Sequence, residues 1–414
     1  MLTQKKVFIF ALVFFVLSAF ASYSYFSVTS AGQVDQSSYK NPASDNIVTS
    51  SDIAPNDPKT EECPLNGQLY SKAQRALWDK RRPLGIMVQN NAEARPQSGL
   101  SSADVLYEVV AEGGITRFLT IFYCQNPKIV GSVRSARVYY ITLLQGYGNY
   151  PLYAHVGGAN TPGPADALGE IGDLGWVGYN DLNQFSVPFP IFWRDPDRLP
   201  GRATEHTVYA DTNKLWQYAA EKRDLTNVDE EGISWDEDFA KWTFKDDAKA
   251  IDRGNVNFIS FGFWEQFASD YNIIWKYNKE ANLYQRENGG KEHIDFNTKK
   301  QLTGKDIVVI FADERAANDG YENGQHLLYD LQGTGDALIF QDGQAIEGTW
   351  NKKKPTTNMT FSDENGKEVE LVRGQVWVEI LPTGNKVSYG KTMSEITKPA
   401  TDKSQKSGGS QTAE

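Results

Sequence analysis

Residues 115–155 read ITRFLTIFYCQNPKIVGSVRSARVYYITLLQGYGNYPLYAH, and this stretch sets the fold class. Ile115 to Tyr123 (ITRFLTIFY) is β-branched and aromatic, the composition of a strand. Ala136 to Gln145 (ARVYYITLLQ) has helical length, with Ser135 as its expected N-cap. Pro151 to His155 (PLYAH) is again a strand. Strand, helix and strand in succession argue for α/β layers. Outward from this stretch, the apolar run LGIMVQN after Arg82-Pro83 reads as a buried strand, and Asp211 caps a helix through Lys222.

Beyond about Lys245 the pattern changes to short strands: VNFISF, NIIWKY, DIVVIFA, DALIFQ, QAIEGTW and QVWVEIL. Asp342-Gly343 is a two-residue type I′ hairpin signal, and Asn365-Gly366 marks another turn before KEVELV. Trp377, Glu379 and Leu381 alternate with Val376, Val378 and Ile380, which predicts a sheet covered on one face. The expected class is α+β, an N-terminal α/β layered domain plus a C-terminal β-rich domain, behind one N-terminal transmembrane helix. The expected boundaries are an anchor or uncleaved signal at 1–28, a flexible stalk at 29–62, the α/β domain at 63–228, a junction at 229–254, the β-rich domain at 255–390 and a disordered tail at 391–414.

The anchor rests on Val7 to Phe26, an uncharged run after Lys5 and Lys6. About 20 apolar residues span a hydrocarbon core of about 30 Å, whereas the apolar part of a cleaved signal is usually about 7–15 residues. Thr29-Ser30-Ala31 is a passable cleavage site, so cleavage stays open. The first cysteine is Cys63, too far along for lipid attachment just after the run. Basic residues before the span stay cytoplasmic, so the expected location is the cell membrane, single-pass, with the bulk of the chain extracytoplasmic. A formal net charge of −11 argues against nucleic acid as a partner. Cys63 and Cys124 are the only cysteines, which fits one disulfide outside the cytoplasm or two unrelated thiols.

Candidate chemistry concentrates between Arg95 and Gly158. Arg95, Arg117, Arg134 and Arg137 sit beside glycine, proline or strand ends, where α/β folds build their sites. With Gln97, Ser135, Gly157 and Gly158 they could clamp a phosphate or carboxylate. Alternatively they pair with Asp104, Glu108 and Glu112 in structural bridges. Those acids, four apart, share a face in strand or helix and invite a divalent ion such as Mg²⁺ or the arginines themselves. His155, before Gly157-Gly158, and His206, beside Glu205, which would raise its pKa, are the general acid or base candidates. A satisfied structural histidine is the competing reading for each, and His293 and His326 read as incidental. No G-x-S-x-G, H-E-x-x-H, phosphate-binding loop or dinucleotide fingerprint is present.

The ordered blocks RPLGIMVQNNAEARPQSGL, ADVLYEVVAEGGITRF, GSVRSAR, HVGGA, EHTVY, DALIFQDGQAIEGTW and GQVWVEILP resemble the YerB-type family of bacterial envelope lipoproteins. The resemblance covers roughly Pro64 to Pro382. It implies two domains, an α/β-type one and a β-rich one, and an extracytoplasmic, membrane-attached life, with no established activity and no catalytic residues to carry over. This chain departs from the pattern in having an apolar span in place of a lipid anchor. The strand, SVRSAR, helix and Gly-Gly turn are also similar to the arginine-bearing core of LytR-CpsA-Psr enzymes, which move glycopolymers from polyprenyl pyrophosphate. That likeness implies Arg117, Arg134 and Arg137 on pyrophosphate oxygens and Mg²⁺ on Asp104 or Glu112.

The expectation is therefore a membrane-tethered envelope protein with an arginine-lined pocket for an anionic small molecule or lipid-linked glycopolymer. The alternatives are a structural protein docking other envelope proteins and a phosphotransferase of the LytR-CpsA-Psr kind.

Overall fold

Ten strands from both halves of the chain hydrogen-bond into one sheet. In chain order they are β1 (Leu84–Gln89), β2 (Val105–Glu112), β3 (Ile115–Phe122), β4 (Leu152–His155), β5 (Asp181–Asn183), β6 (Asp306–Ala312), β7 (Gly333–Gln341), β8 (Gln344–Lys352), β9 (Thr360–Asp363) and β10 (Val376–Pro382). Their order across the sheet is β9-β8-β7-β6-β10-β2-β3-β1-β4-β5. The structure is a computed structural model and describes residues 57–321 and 325–397. The apolar run at 7–26, the stalk up to residue 56 and the tail from residue 398 lie outside the described residues. Among the described residues no helix is long and apolar enough to cross a membrane.

The two halves join where β10 pairs in parallel with β2, Val376–Glu379 against Val105–Glu108, while its other edge runs parallel to β6. The strand is buried from Val376 to Leu381 on both faces. The expected one-sided sheet is therefore corrected: a central parallel strand lies between two covered faces, and the alternation there separates two kinds of interior. A smaller sheet, including Phe258–Phe261, Ile273–Asn278 and Leu283–Asn288, does alternate between buried and partly exposed residues. Its inward side chains Trp275 and Arg286 pack on Trp377 of β10, with the two indole rings 5.1 Å apart.

The α+β class holds, with sheet dominating. Local signals locate several elements well. Asp211 caps the helix Thr212–Arg223, its side chain accepting from the Lys214 N–H. Asp342 and Gly343 both have positive φ, 52° and 70°, as a type I′ turn between β7 and β8 requires. Other expectations change. The helix after Ser135 is shorter, Val138–Leu144, and Arg137 rather than Ser135 occupies its N-cap position, without a side-chain cap bond. The end of the expected stalk, Lys59–Glu62, is a strand paired with Leu69–Ser71, and the start of the expected tail holds the helix Met393–Thr397. The junction is packed: Trp235 and Trp242 are buried and Phe244–Lys245 pairs with Leu371–Val372. Cys63 and Cys124 form a disulfide, which ties the entry segment to the end of β3.

Candidate functional site

The strand β2 and the residue before it distribute the three acids rather than gathering them. At about 3.3 Å per residue, positions four apart on a strand are about 13 Å apart, too far for one ion. Asp104, just before β2, accepts from the Tyr123 and Cys124 N–H groups at 2.6 and 2.9 Å and from Asn66 Nδ2 at 2.8 Å. Burial pushes its carboxyl up to about 7 against those donors. It lies beside Cys63 and Cys124, a trio with the outline of a metal site, but two of its three members are spent in the disulfide. Glu108 is fully buried and accepts from Asn90 Nδ2 at 2.8 Å, Thr116 Oγ1 at 2.5 Å and the Arg286 guanidinium. Glu112, at the bulged end of β2, binds Arg117 Nη2 at 2.9 Å and pairs with Arg137. These residues do not fit Mg²⁺: each carboxylate already has its own protein donors.

The four arginines separate in the same way. Arg95 spends its guanidinium on Asn90 Oδ1 (3.0 Å), the Asn90 carbonyl (2.9 Å) and the Asp270 carbonyl (2.8 Å). Gln97 is buried and donates to Asn90 Oδ1 at 2.9 Å, with its Oε1 2.7 Å from His293 Nε2. Arg117, besides Glu112, donates to the Ser135 carbonyl at 2.7 Å. Ser135 thus contributes its backbone to this group, and Arg117 and Arg137 follow the structural-bridge reading. Arg134 does not. Its guanidinium has no hydrogen-bond or acidic partner among the described residues, and its Nε is buried. Desolvation pushes its pKa down to about 10, with Arg117 and Arg194 adding to the effect and Glu205 opposing it. An unpaired, largely desolvated cation is costly.

His155, at the end of β4, is fully buried, with Nε2 2.7 Å from Asp181 Oδ1 and Nδ1 2.7 Å from the Gly157 carbonyl. Both partners are acceptors and no face of the ring is open, the setting of a structural histidine. Gly157 and Gly158 take part in chain packing: the Gly157 carbonyl accepts from the Ala136 N–H at 2.9 Å, and a Cβ on Gly158 would lie 2.9 Å from Leu168. His206 stands near Arg134, with Nδ1 2.8 Å from Gln89 Oε1 and Nε2 3.7 Å from Glu93. Burial lowers its pKa and outweighs Glu205, the reverse of the expectation. His293, read as incidental, is fully enclosed between Arg286 Nε at 3.1 Å and Gln97, and burial with the Arg286 charge holds it well below its usual pKa. His326 bonds Asp319 at 2.7 Å. No local sequence pattern announces His293, because Gln97, which shares its Nε2, lies 196 positions away along the chain.

Residues 70–226 match the family described as "Protein of unknown function (DUF3048) N-terminal domain", and residues 265–378 match its C-terminal domain. A protein of Bacillus subtilis (strain 168) named "Putative lipoprotein YerB" is 30% identical over 340 residues, covering 82% of this chain and 92% of the relative. The crystal structure of the YerB protein from Bacillus subtilis superimposes with a TM-score of 0.63 at 27% identity, covering 80% of this chain and 100% of that one.

Proposed function

The chain belongs to the DUF3048 family, and from that premise we propose that it is a membrane-associated, extracytoplasmic envelope protein that binds an anionic group at Arg134. The location is supported by the lipoprotein name of the relative, by the disulfide between Cys63 and Cys124, which suits an oxidising compartment, and by the apolar run at 7–26. The anion reading is carried by one observation, the Arg134 guanidinium without a protein partner. Arg194 and His206 are near enough to Arg134 to act on the same charge. The reading is one of binding, supported by the hydrogen bonds that engage His155 and the protein donors that engage the expected Mg²⁺ ligands.

Interaction with another envelope protein is a second reading, favoured by Phe185 and Phe189, which are 77% and 67% exposed. The test is thermal unfolding of the full chain in detergent with inorganic pyrophosphate as the probe. At about 100 times its dissociation constant it should add about 2.7 kcal/mol. Arg134→Gln should abolish that gain while remaining as stable as the parent. No gain, or a strongly destabilised Arg134→Gln, overturns the anion site and leaves the interaction reading.

A further inference from the structure

A cavity of 320 Å³ opens where the Arg95 loop meets the smaller sheet, and Arg134 does not line it. Its walls carry three cations, Arg95, Arg202 and Lys291, against two acids, Asp270 and Glu292. Arg95 is fixed by its bonds to Asn90 and the Asp270 carbonyl and lies over the Tyr271 ring at 4.9 Å, leaving part of its fork of N–H groups uncommitted. Arg202 and Lys291 are exposed and unpaired by any acid among the described residues. This side of the cavity suits a carboxylate, with two mobile cations and one fixed one.

The opposite requirement comes from Asn288. It lines the cavity, is 3% exposed, and places its Nδ2 3.3 Å from Asn90 Oδ1, while its own Oδ1 has no partner among the described residues. Asn90 Oδ1 already receives Arg95 and Gln97, so its role as acceptor fixes which end of the Asn288 amide is oxygen. His293, also on the wall, has both ring nitrogens engaged and offers no donor to that oxygen. A buried acceptor left bare costs about 1–3 kcal/mol, so an occupant that brings a donor to it gains that amount.

We propose that this cavity binds a small carboxylate bearing an adjacent amide or ammonium N–H, the chemistry of an amino acid, an N-acylated amino acid or a dipeptide. The carboxylate lies against Arg202 and Lys291, and the N–H donates to Asn288 Oδ1. A bare inorganic anion would satisfy the cations and leave the amide oxygen unpaired. The volume is at the lower end for ligand pockets, which limits the occupant to about dipeptide size.

The test is calorimetric titration of the full chain with N-acetylglycine and with N-acetylsarcosine, which keeps the carboxylate and replaces the N–H with a methyl group. N-Acetylglycine should bind at least about tenfold more tightly, since a site built for a donor rejects the analogue lacking it. Asn288→Ala should erase that preference. Lys291→Gln and Arg202→Gln, at exposed positions that do not threaten folding, should each weaken N-acetylglycine by about three- to tenfold. Arg134→Gln should leave its affinity unchanged, which separates this cavity from the anion site at Arg134. Absence of binding, equal affinity for the two compounds, preference for inorganic phosphate, or loss of binding in Arg134→Gln would each overturn the proposal.

Discussion

Glu108 and Glu379 are register partners in the parallel pairing of β2 with β10, and both side chains are fully buried. Like charges directly opposite destabilise a sheet, and here the pair is resolved by Arg286 from the smaller sheet, which reaches both carboxyls. Burial, against the pull of Arg286, pushes the Glu379 carboxyl well above its usual range, and Glu108 adds to that shift. Glu379 is thus held towards its neutral form beside Arg286 and Glu108, and the members of the group come from both halves of the chain.

Arg286→Met should therefore destabilise the fold by about 3–5 kcal/mol, because it leaves buried acids without their cation. Glu379→Gln, which imitates the neutral acid, should cost less than about 1 kcal/mol. Urea unfolding followed by tryptophan fluorescence ranks the two. The reverse order would place the charge on Glu379 instead.

Glu112 pairs with Arg117 and Arg137, whereas Arg134 has no acidic partner among the described residues. Glu112→Gln should lower stability by about 2–4 kcal/mol and tighten pyrophosphate binding, since two more guanidinium groups become available. Titration calorimetry checks the second part. Weaker binding in this variant would mean that Glu112 orients the arginines for the ligand.

On the proposed reading, His206 should tie anion binding at Arg134 to pH. Its pKa is lowered in the folded chain, so it is neutral at pH 7 and the unfolded chain takes up the proton first. The fold should lose stability as pH falls below about 6.5, with the loss levelling off below the folded pKa. An anion at Arg134 favours the imidazolium, so pyrophosphate affinity should rise over the same interval by up to about tenfold. His206→Gln should flatten both trends. A pH-independent affinity in the parent would separate His206 from the anion site.

The Cys63–Cys124 disulfide spans 61 positions of sequence. A loop of that length is worth about 4 kcal/mol in the chain-entropy description. The paired replacement of both cysteines by serine should lose about that amount in urea unfolding. A loss under about 1 kcal/mol would show that the entry segment is held by its strand pairing alone.

What the sequence discloses is local. The strand β3, the cap at Asp211 and the turn at Asp342-Gly343 are specified by neighbours within a few residues, and each lies where the pattern puts it. The pairing of β10 with β2 leaves no local trace, because a parallel partner can lie at any distance along the chain. The same reason hides Arg286 and His293, whose surroundings are assembled from both halves. The arginine-rich stretch is visible as a cluster, but its division into the bridged Arg117 and Arg137, the loop-holding Arg95 and the unpaired Arg134 depends on where β2 places Glu112.

The placement of β10 between β6 and β2 also governs how the protein can be made. Synthesis delivers the amino-terminal half first, yet β2 has an open edge until the strand at 376–382, one of the last to emerge, slots in beside it. A newborn chain of this kind presents an unsatisfied, hydrophobic strand border throughout its passage, which is the hazard that holding chaperones exist to cover. Truncation anywhere before Val376 should yield an aggregating fragment rather than a folded half.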